Sequence, residues 1–427
     1  MRRGIPGLVV CAALLSAAGW GADWPQWRGP ARDGVAPETG LLSSWPEAGP
    51  PLLWQSEGLG AGHSSLAVAG ERIYTLGDAG GWQYVIGLSR SDGRELWRTR
   101  VGAAHEDGRG RGGPRSTPTL DGDRVYALGT DGNLVCVEAA SGREVWRRSL
   151  PDDFGGVMMS RWKFSESPLV DGDRVVVTPG AAGAFMVALS KADGSEAWRT
   201  RVPDLGSSGQ DGAGYSSIVI SGAGGIRQYV QLAGRGLVGV RASDGRFLWS
   251  YNRVANDVAN ATTPIVKGDL VLGSSGYQTG SALVRLVPKD GGIEAQEVYF
   301  LDSKTLQNHH GGLILAGEHV YGGHGHNNGF PICVELATGK VAWGGQIRNA
   351  GTGSAAVTYA DGHLYFRYEN GAMMLIEATP EEYREKGSFQ IPDVGAPSWS
   401  HPVVADGRLY LREQDRLYCY DVSATAE

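Results

Sequence analysis

The sequence predicts an all-β fold: an eight-bladed β-propeller whose ring is closed by an N-terminal strand. Three observations predict it. First, one phrase recurs five times, an Asp-Gly, Ser-Gly or Thr-Gly pair followed three spacers later by Trp, ending at Trp97, Trp146, Trp198, Trp249 and Trp343. Its period of about 50 residues lies in the range of stacked repeats. Second, short phrases of Ser, Thr or small residues open eight repeats, among them His63-Ser64-Ser65, Ser116-Thr117-Pro118, Thr262-Thr263-Pro264 and Ser400-His401-Pro402. Third, the eighth repeat stops at Tyr420-Asp421 before any closing Trp strand, while Leu52-Leu53-Trp54-Gln55 offers a matching strand at the other end. Pairing the two ends removes the exposed edges of an open array. Repeats five and seven lack the Trp, with Val298-Tyr299-Phe300 and Ser388-Phe389 in its place; seven blades is the alternative count.

Taken in order, residues 1–22 read as an export signal. Arg2 and Arg3 precede an apolar run from about Ile5 to Ala18, with small residues up to Ala22. The run is too short for a comfortable bilayer span, so a periplasmic or secreted monomer without a transmembrane segment is expected. Residues 23–51 form an N-terminal extension and 52–424 the propeller. Within the repeats, turns such as Asp121-Gly122-Asp123-Arg124 and Asp406-Gly407-Arg408 separate strands of alternating apolar residues, a hairpin signal. Each Trp is expected to wedge against the neighbouring blade. Cys136, Cys333 and Cys419 take the same place in non-adjacent repeats, too far apart for a disulfide, and are expected to be buried and unpaired. The one helix-like stretch, Pro380–Lys386, reads as a solvated surface turn.

Composition excludes several classes. Sixty-six glycines and thirteen tryptophans suit turns and aromatic wedges, and a net charge of −7 argues against a nucleic-acid partner. No P-loop, GxSxG or HExxH is present. Gly108-x-Gly110-x-x-Gly113 and Gly234-x-Gly236-x-x-Gly239 match the dinucleotide pattern, but neither opens a helix after a strand.

The repeated phrase, with the strand–turn–strand unit before it, resembles the pyrroloquinoline-quinone (PQQ) repeat. The segment Asp23-Trp24-Pro25-Gln26-Trp27-Arg28-Gly29-Pro30 resembles the start of secreted PQQ-binding-like propeller proteins, as do phrases at Gly113, Phe164, Gly212 and Asn308. The resemblance covers essentially all of the mature chain. It implies eight blades, and either a BamB-like scaffold or a quinoprotein alcohol dehydrogenase. Those dehydrogenases carry a vicinal Cys-Cys ring over the quinone; this chain has no adjacent cysteines and no CxxCH haem-attachment motif. The expected function is therefore a non-catalytic scaffold that binds a protein or small-molecule ligand at its loop-rich face. The alternative is a PQQ-dependent oxidoreductase acting on an alcohol or sugar.

Long polar connections entering the innermost strands share one face, the default place for a site. Arg115, Trp162, Tyr215, His310 and Trp399 sit at these entries and are candidate ligand-binding residues; Arg161 and Lys163 lie beside them. Glu166 and His401, at strand starts facing the mouth, are the acid/base candidates if catalysis exists. Asn308-His309-His310 and Gly323-His324-Gly325-His326 gather four of the nine histidines in one repeat. His310, His324 and His326 are candidate ligands for a divalent metal. Strand alternation is expected to send His309 and His310 to opposite sides.

Overall fold

A computed structural model describes residues 23–108 and 111–424; the expected export signal lies outside the described residues. The strands form eight sheets, seven of four strands and one of five. The count is eight blades, not seven. Seven blades are built on four consecutive antiparallel strands, as in Ala67–Ala69, Arg72–Ala79, Trp82–Ser89 and Glu95–Ala103 of the first. The last blade is completed as the sequence predicts. Leu52–Ser56 pairs antiparallel with Arg416–Asp421, setting Leu52 opposite Tyr420 and Trp54 opposite Cys419.

The Gly and the Trp of the recurring phrase are two halves of a lock between blades. Gly142, Gly194 and Gly245 turn the chain at φ of 72, 72 and 73°, and each seats the indole of the preceding blade. A Cβ there would lie 2.5 Å from Trp97, 2.8 Å from Trp146 and 2.4 Å from Trp198. Glycine is required twice over, for the left-handed turn and for the ring above it. The indole also finds a polar partner in the next blade: Trp97 Nε1 donates to Ala139 O (3.1 Å) and Trp146 Nε1 to Lys191 O (2.9 Å). Where the Trp is missing, Tyr299 takes the slot and donates its hydroxyl to Leu336 O (2.8 Å) beside Gly339.

The opening phrases form a second ring of ties. Ser167 Oγ accepts from Thr117 N (2.9 Å), Ser217 Oγ from Ser167 N (3.0 Å) and Thr263 Oγ1 from Ser217 N (3.4 Å). Thr262 Oγ1 donates to Asn308 Oδ1 (2.9 Å), and Ser65 Oγ to His401 O (2.9 Å). These hydroxyls satisfy backbone groups that would otherwise be buried unpaired where blades converge.

The N-terminal extension touches all eight blades, which the sequence did not predict. Trp24 pairs with Val68 in blade one, and Leu120 N of blade two donates to Pro25 O. Arg32 donates to Ser167 O and Pro168 O of blade three and to Ile218 O of blade four. Trp27 Nε1 donates to Thr263 Oγ1 of blade five (3.1 Å), and Arg28 Nη2 to Leu313 O of blade six. Val35–Ala36 pairs in parallel with Tyr359 and Ala360, the fifth strand of blade seven. Trp27 meets His401 of blade eight edge-on. A segment in contact with the inner edge of every blade crosses the ring's axis.

Among the described residues the single α-helix is Leu150–Phe154. Ser149 caps it by accepting from Asp152 N, Pro151 sits in its first turn, and Gly155 ends it at φ 67°. Pro380 and Glu381 form an exposed bend, in keeping with the surface-turn reading, and the last two residues of the stretch Pro380–Lys386 begin the strand Glu385–Gln390. The three cysteines are buried and unpaired as expected, each across the sheet from a tyrosine: Tyr126, Tyr321 and Tyr410. No helix among the described residues is long and apolar enough to cross a membrane.

Candidate functional site

The connections entering the innermost strands enclose a cavity of about 1280 Å³ on the axis, and Trp27 of the extension is part of its lining. One wall alternates cations and rings. Arg161 lies 4.9 Å from the Trp162 ring, Arg115 lies 5.9 Å from Trp162 and 6.0 Å from Trp399, and Arg111 lies 5.8 Å from Trp399. A guanidinium drawn to a ring by cation–π attraction still has an N–H edge for another partner. Arg115 spends that edge on the wall itself, donating to Trp162 O (3.2 Å) and to Arg111 O. Among the described residues, none of these three arginines is in an ion pair.

Rings continue around the cavity. Trp399 meets His63 (4.7 Å) and His310 (5.2 Å); His310 meets His309 (4.3 Å), which meets His326 (4.1 Å) and Tyr277 (5.1 Å). His309 is held at both nitrogens, by Ser354 Oγ (2.6 Å) and Tyr277 Oη (3.0 Å). Burial, with neighbouring histidines, pushes His310 down to about 3 and lowers His309 further in the same direction. Burial and then Arg28 push His401 to about 3, and burial with Arg115, Arg412 and Arg367 lowers His63. These imidazoles are neutral at pH 7, so the positive charge of the cavity comes from the arginines.

All five residues expected at the ligand mouth, Arg115, Trp162, Tyr215, His310 and Trp399, line this cavity, together with His401 and His326. Three expectations are not met. Glu166 does not line it: in the irregular backbone before the strand Leu169–Asp171, Ser165 and Ser167 reach the cavity while Glu166 is buried between the blades. There its carboxylate accepts from Thr178 N (2.9 Å) and Gln231 Nε2 (2.6 Å), and burial raises its pKa to about 7. His324 is also turned away, its Nδ1 accepting from Gln307 N (3.2 Å). The trio His310, His324 and His326 is thus not assembled, and among the described residues no group of three His, Cys, Asp or Glu is placed to hold a metal ion. Nor do His309 and His310 diverge. They precede the strand Leu313–Ala316, in irregular backbone where alternation does not operate, and both face the cavity.

His401 reaches the cavity as a buried, neutral imidazole. Its Nε2 donates to His310 O (3.3 Å), and its Nδ1 is buried without a partner. A PQQ held with a divalent cation does not fit this donor set either. The lining carboxylates Glu369 and Asp393 lie in blade seven and the connection to blade eight, and Asp393 is paired with Arg416. Sequence reasoning missed Trp27, His63 and Tyr277 as lining residues. His63 carried a signal, since it stands at the opening-phrase position that also places His310.

Comparison with known proteins agrees with this architecture. The family model described as outer membrane protein assembly factor BamB matches residues 81–345, more than half of the chain. The outer membrane protein assembly factor BamB of Xanthomonas campestris pv. campestris is 30% identical over 110 residues; the match spans 26% of this chain and 26% of that relative, about a quarter of its length. Among solved structures, BamB from Moraxella catarrhalis superposes with a TM-score of 0.59 at 13% identity, covering 87% of this chain and 99% of that one. The quinohemoprotein alcohol dehydrogenase ADHIIG of Pseudomonas putida HK5 gives 0.63 at 13% identity, covering 95% and 81%. At such identities the likeness is one of fold.

Proposed function

The chain belongs to the outer membrane protein assembly factor BamB family, and from that premise we propose that it is a non-catalytic binding scaffold of the periplasm or cell exterior, holding a protein or ligand at its loop-rich face. The observation that carries this reading is the chemistry of the cavity wall. It presents arginines over aromatic rings, which bind, while Glu166 faces away and His401 is neutral with its Nε2 hydrogen committed. A general acid or base works best with a pKa near the operating pH and within reach of the reacting atom. Glu166 meets the first condition and His401 the second. Neither meets both.

The test is to add PQQ with Ca²⁺ to the purified protein and follow dye reduction with alcohols and sugars as substrates. No turnover is expected. Turnover lost on substituting cavity residues would replace the scaffold with an oxidoreductase.

A further inference from the structure

We propose that the cavity takes in the acidic end of a polypeptide. This rests on the reading of the cavity as the binding site and names the partner's chemistry.

Charge is the first argument. Arg111 and Arg161 lie over Trp399 and Trp162, and their guanidinium edges have no hydrogen-bond or ion-pair partner among the described residues. Such an edge matches the two oxygens of a carboxylate. Arg115 between them braces the wall rather than offering both of its Nη groups. The histidines that complete the ring belt are neutral and compete for no anion. Three carboxylates lie nearby: Asp393 is paired with Arg416, Glu369 accepts from Ser354 N (3.3 Å) on the blade-seven side, and Asp107, in the blade-two loop, accepts from Arg111 N (3.0 Å) and acts on Arg115. The open groups of Arg111 and Arg161 remain for a ligand anion.

Shape is the second. A cavity of about 1280 Å³ exceeds the roughly 300–1,000 Å³ usual for a small-molecule pocket. It opens among the loops, and the extension crosses the axis behind it through Trp27, Arg28 and Arg32. A chain cannot thread through a blind recess; an end can enter one. A C-terminus rich in Asp and Glu supplies its terminal carboxylate and its side chains together, and Trp and Arg are the residues that anchor protein interfaces.

The test uses the full mature chain and a fluorescein-labelled heptapeptide, Gly-Ser-Glu-Asp-Tyr-Asp-Glu with a free carboxyl end, read by anisotropy. Saturable binding is expected, weakened about tenfold when salt rises from about 0.05 to 0.5 M. The Arg111→Gln/Arg161→Gln double variant is expected to lose at least about tenfold, and the amidated Asn/Gln counterpart to show no saturable binding. Arg161 is exposed and, among the described residues, neither side chain is hydrogen-bonded, so the variant keeps its fold, which its thermal melt verifies. Equal binding of the neutral peptide would overturn the inference. So would saturable binding of oligogalacturonate in place of the peptide, which would make the ligand an acidic sugar and leave the cavity reading standing. Peptide binding indifferent to both the double variant and Trp399→Leu would place it elsewhere and overturn both.

Discussion

The Trp27 ring meets His401 edge-on with centroids 4.5 Å apart, joining the segment before the propeller to its eighth blade beside the cavity. Trp27 is one contact of a plug whose most connected member is Arg32. That side chain is buried and donates four hydrogen bonds, to Ser167 O, Pro168 O, Ile218 O and Gln26 Oε1. Arg32→Met should lower stability by about 3 kcal/mol, because three buried carbonyls lose a charged donor. Urea unfolding measures it.

The locks between blades make a matched pair of predictions. Trp146→Ala should cost about 3–5 kcal/mol, the range for a buried aromatic. Gly194→Ala should also destabilise, since its Cβ would lie 2.8 Å from the Trp146 ring at φ 72°. Because the two changes act on one contact, their effects should fall short of additive in a double-mutant cycle. Strict additivity would deny the lock.

A buried ion pair ties blade seven to blade eight: Arg367 Nη2 lies 2.7 Å from Glu413 Oε2, both side chains at most 2% exposed. Glu413→Ala strands the Arg367 charge and should cost about 3–5 kcal/mol, whereas replacing both by apolar residues of similar volume should cost far less. Thermal melts of the single and double variants decide this.

Stability should peak between acid and alkali for opposed reasons. His310 and His401 titrate near 3 in the fold but near 6.5 when unfolded. The unfolded state binds more protons in that window, so their contribution is complete above about 6.5 and lost as pH falls toward 3. Glu166 titrates near 7 in the fold against 4.5 unfolded. The folded state holds that proton more tightly, so its contribution is complete below about 4.5 and lost as pH rises through 7. Melting temperature against pH should therefore lose part of its alkaline decline in Glu166→Gln and part of its acid decline in His310→Gln/His401→Gln.

Much of this fold is legible residue by residue. The Asp-Gly, Ser-Gly and Thr-Gly turns, the period-two strands and the closing Trp are local signals. Each reports a backbone angle or a face that must be buried, so blade count and ring closure at Leu52–Ser56 followed from the chain alone. The family of the mouth residues was legible for a similar reason, since Arg115, Trp162, Tyr215, His310 and Trp399 stand at equivalent entries to innermost strands.

What lies inside the ring was decided by tertiary structure. Whether Glu166 or its neighbours Ser165 and Ser167 face the axis depends on the path of the irregular backbone before the strand Leu169–Asp171, which the sequence pattern does not register. Whether His324 joins His326 depends on a turn at Gly325, φ 87°, that swings the chain between them. The extension carries no period at all. Its Trp27, Arg28 and Arg32 acquire their partners when eight blades, separated by hundreds of residues in the chain, bring their inner carbonyls and hydroxyls to one axis. The sequence determined a closed ring of blades because turns and strand faces are short-range properties; the plug and the arginine-lined cavity exist because closure makes distant residues neighbours.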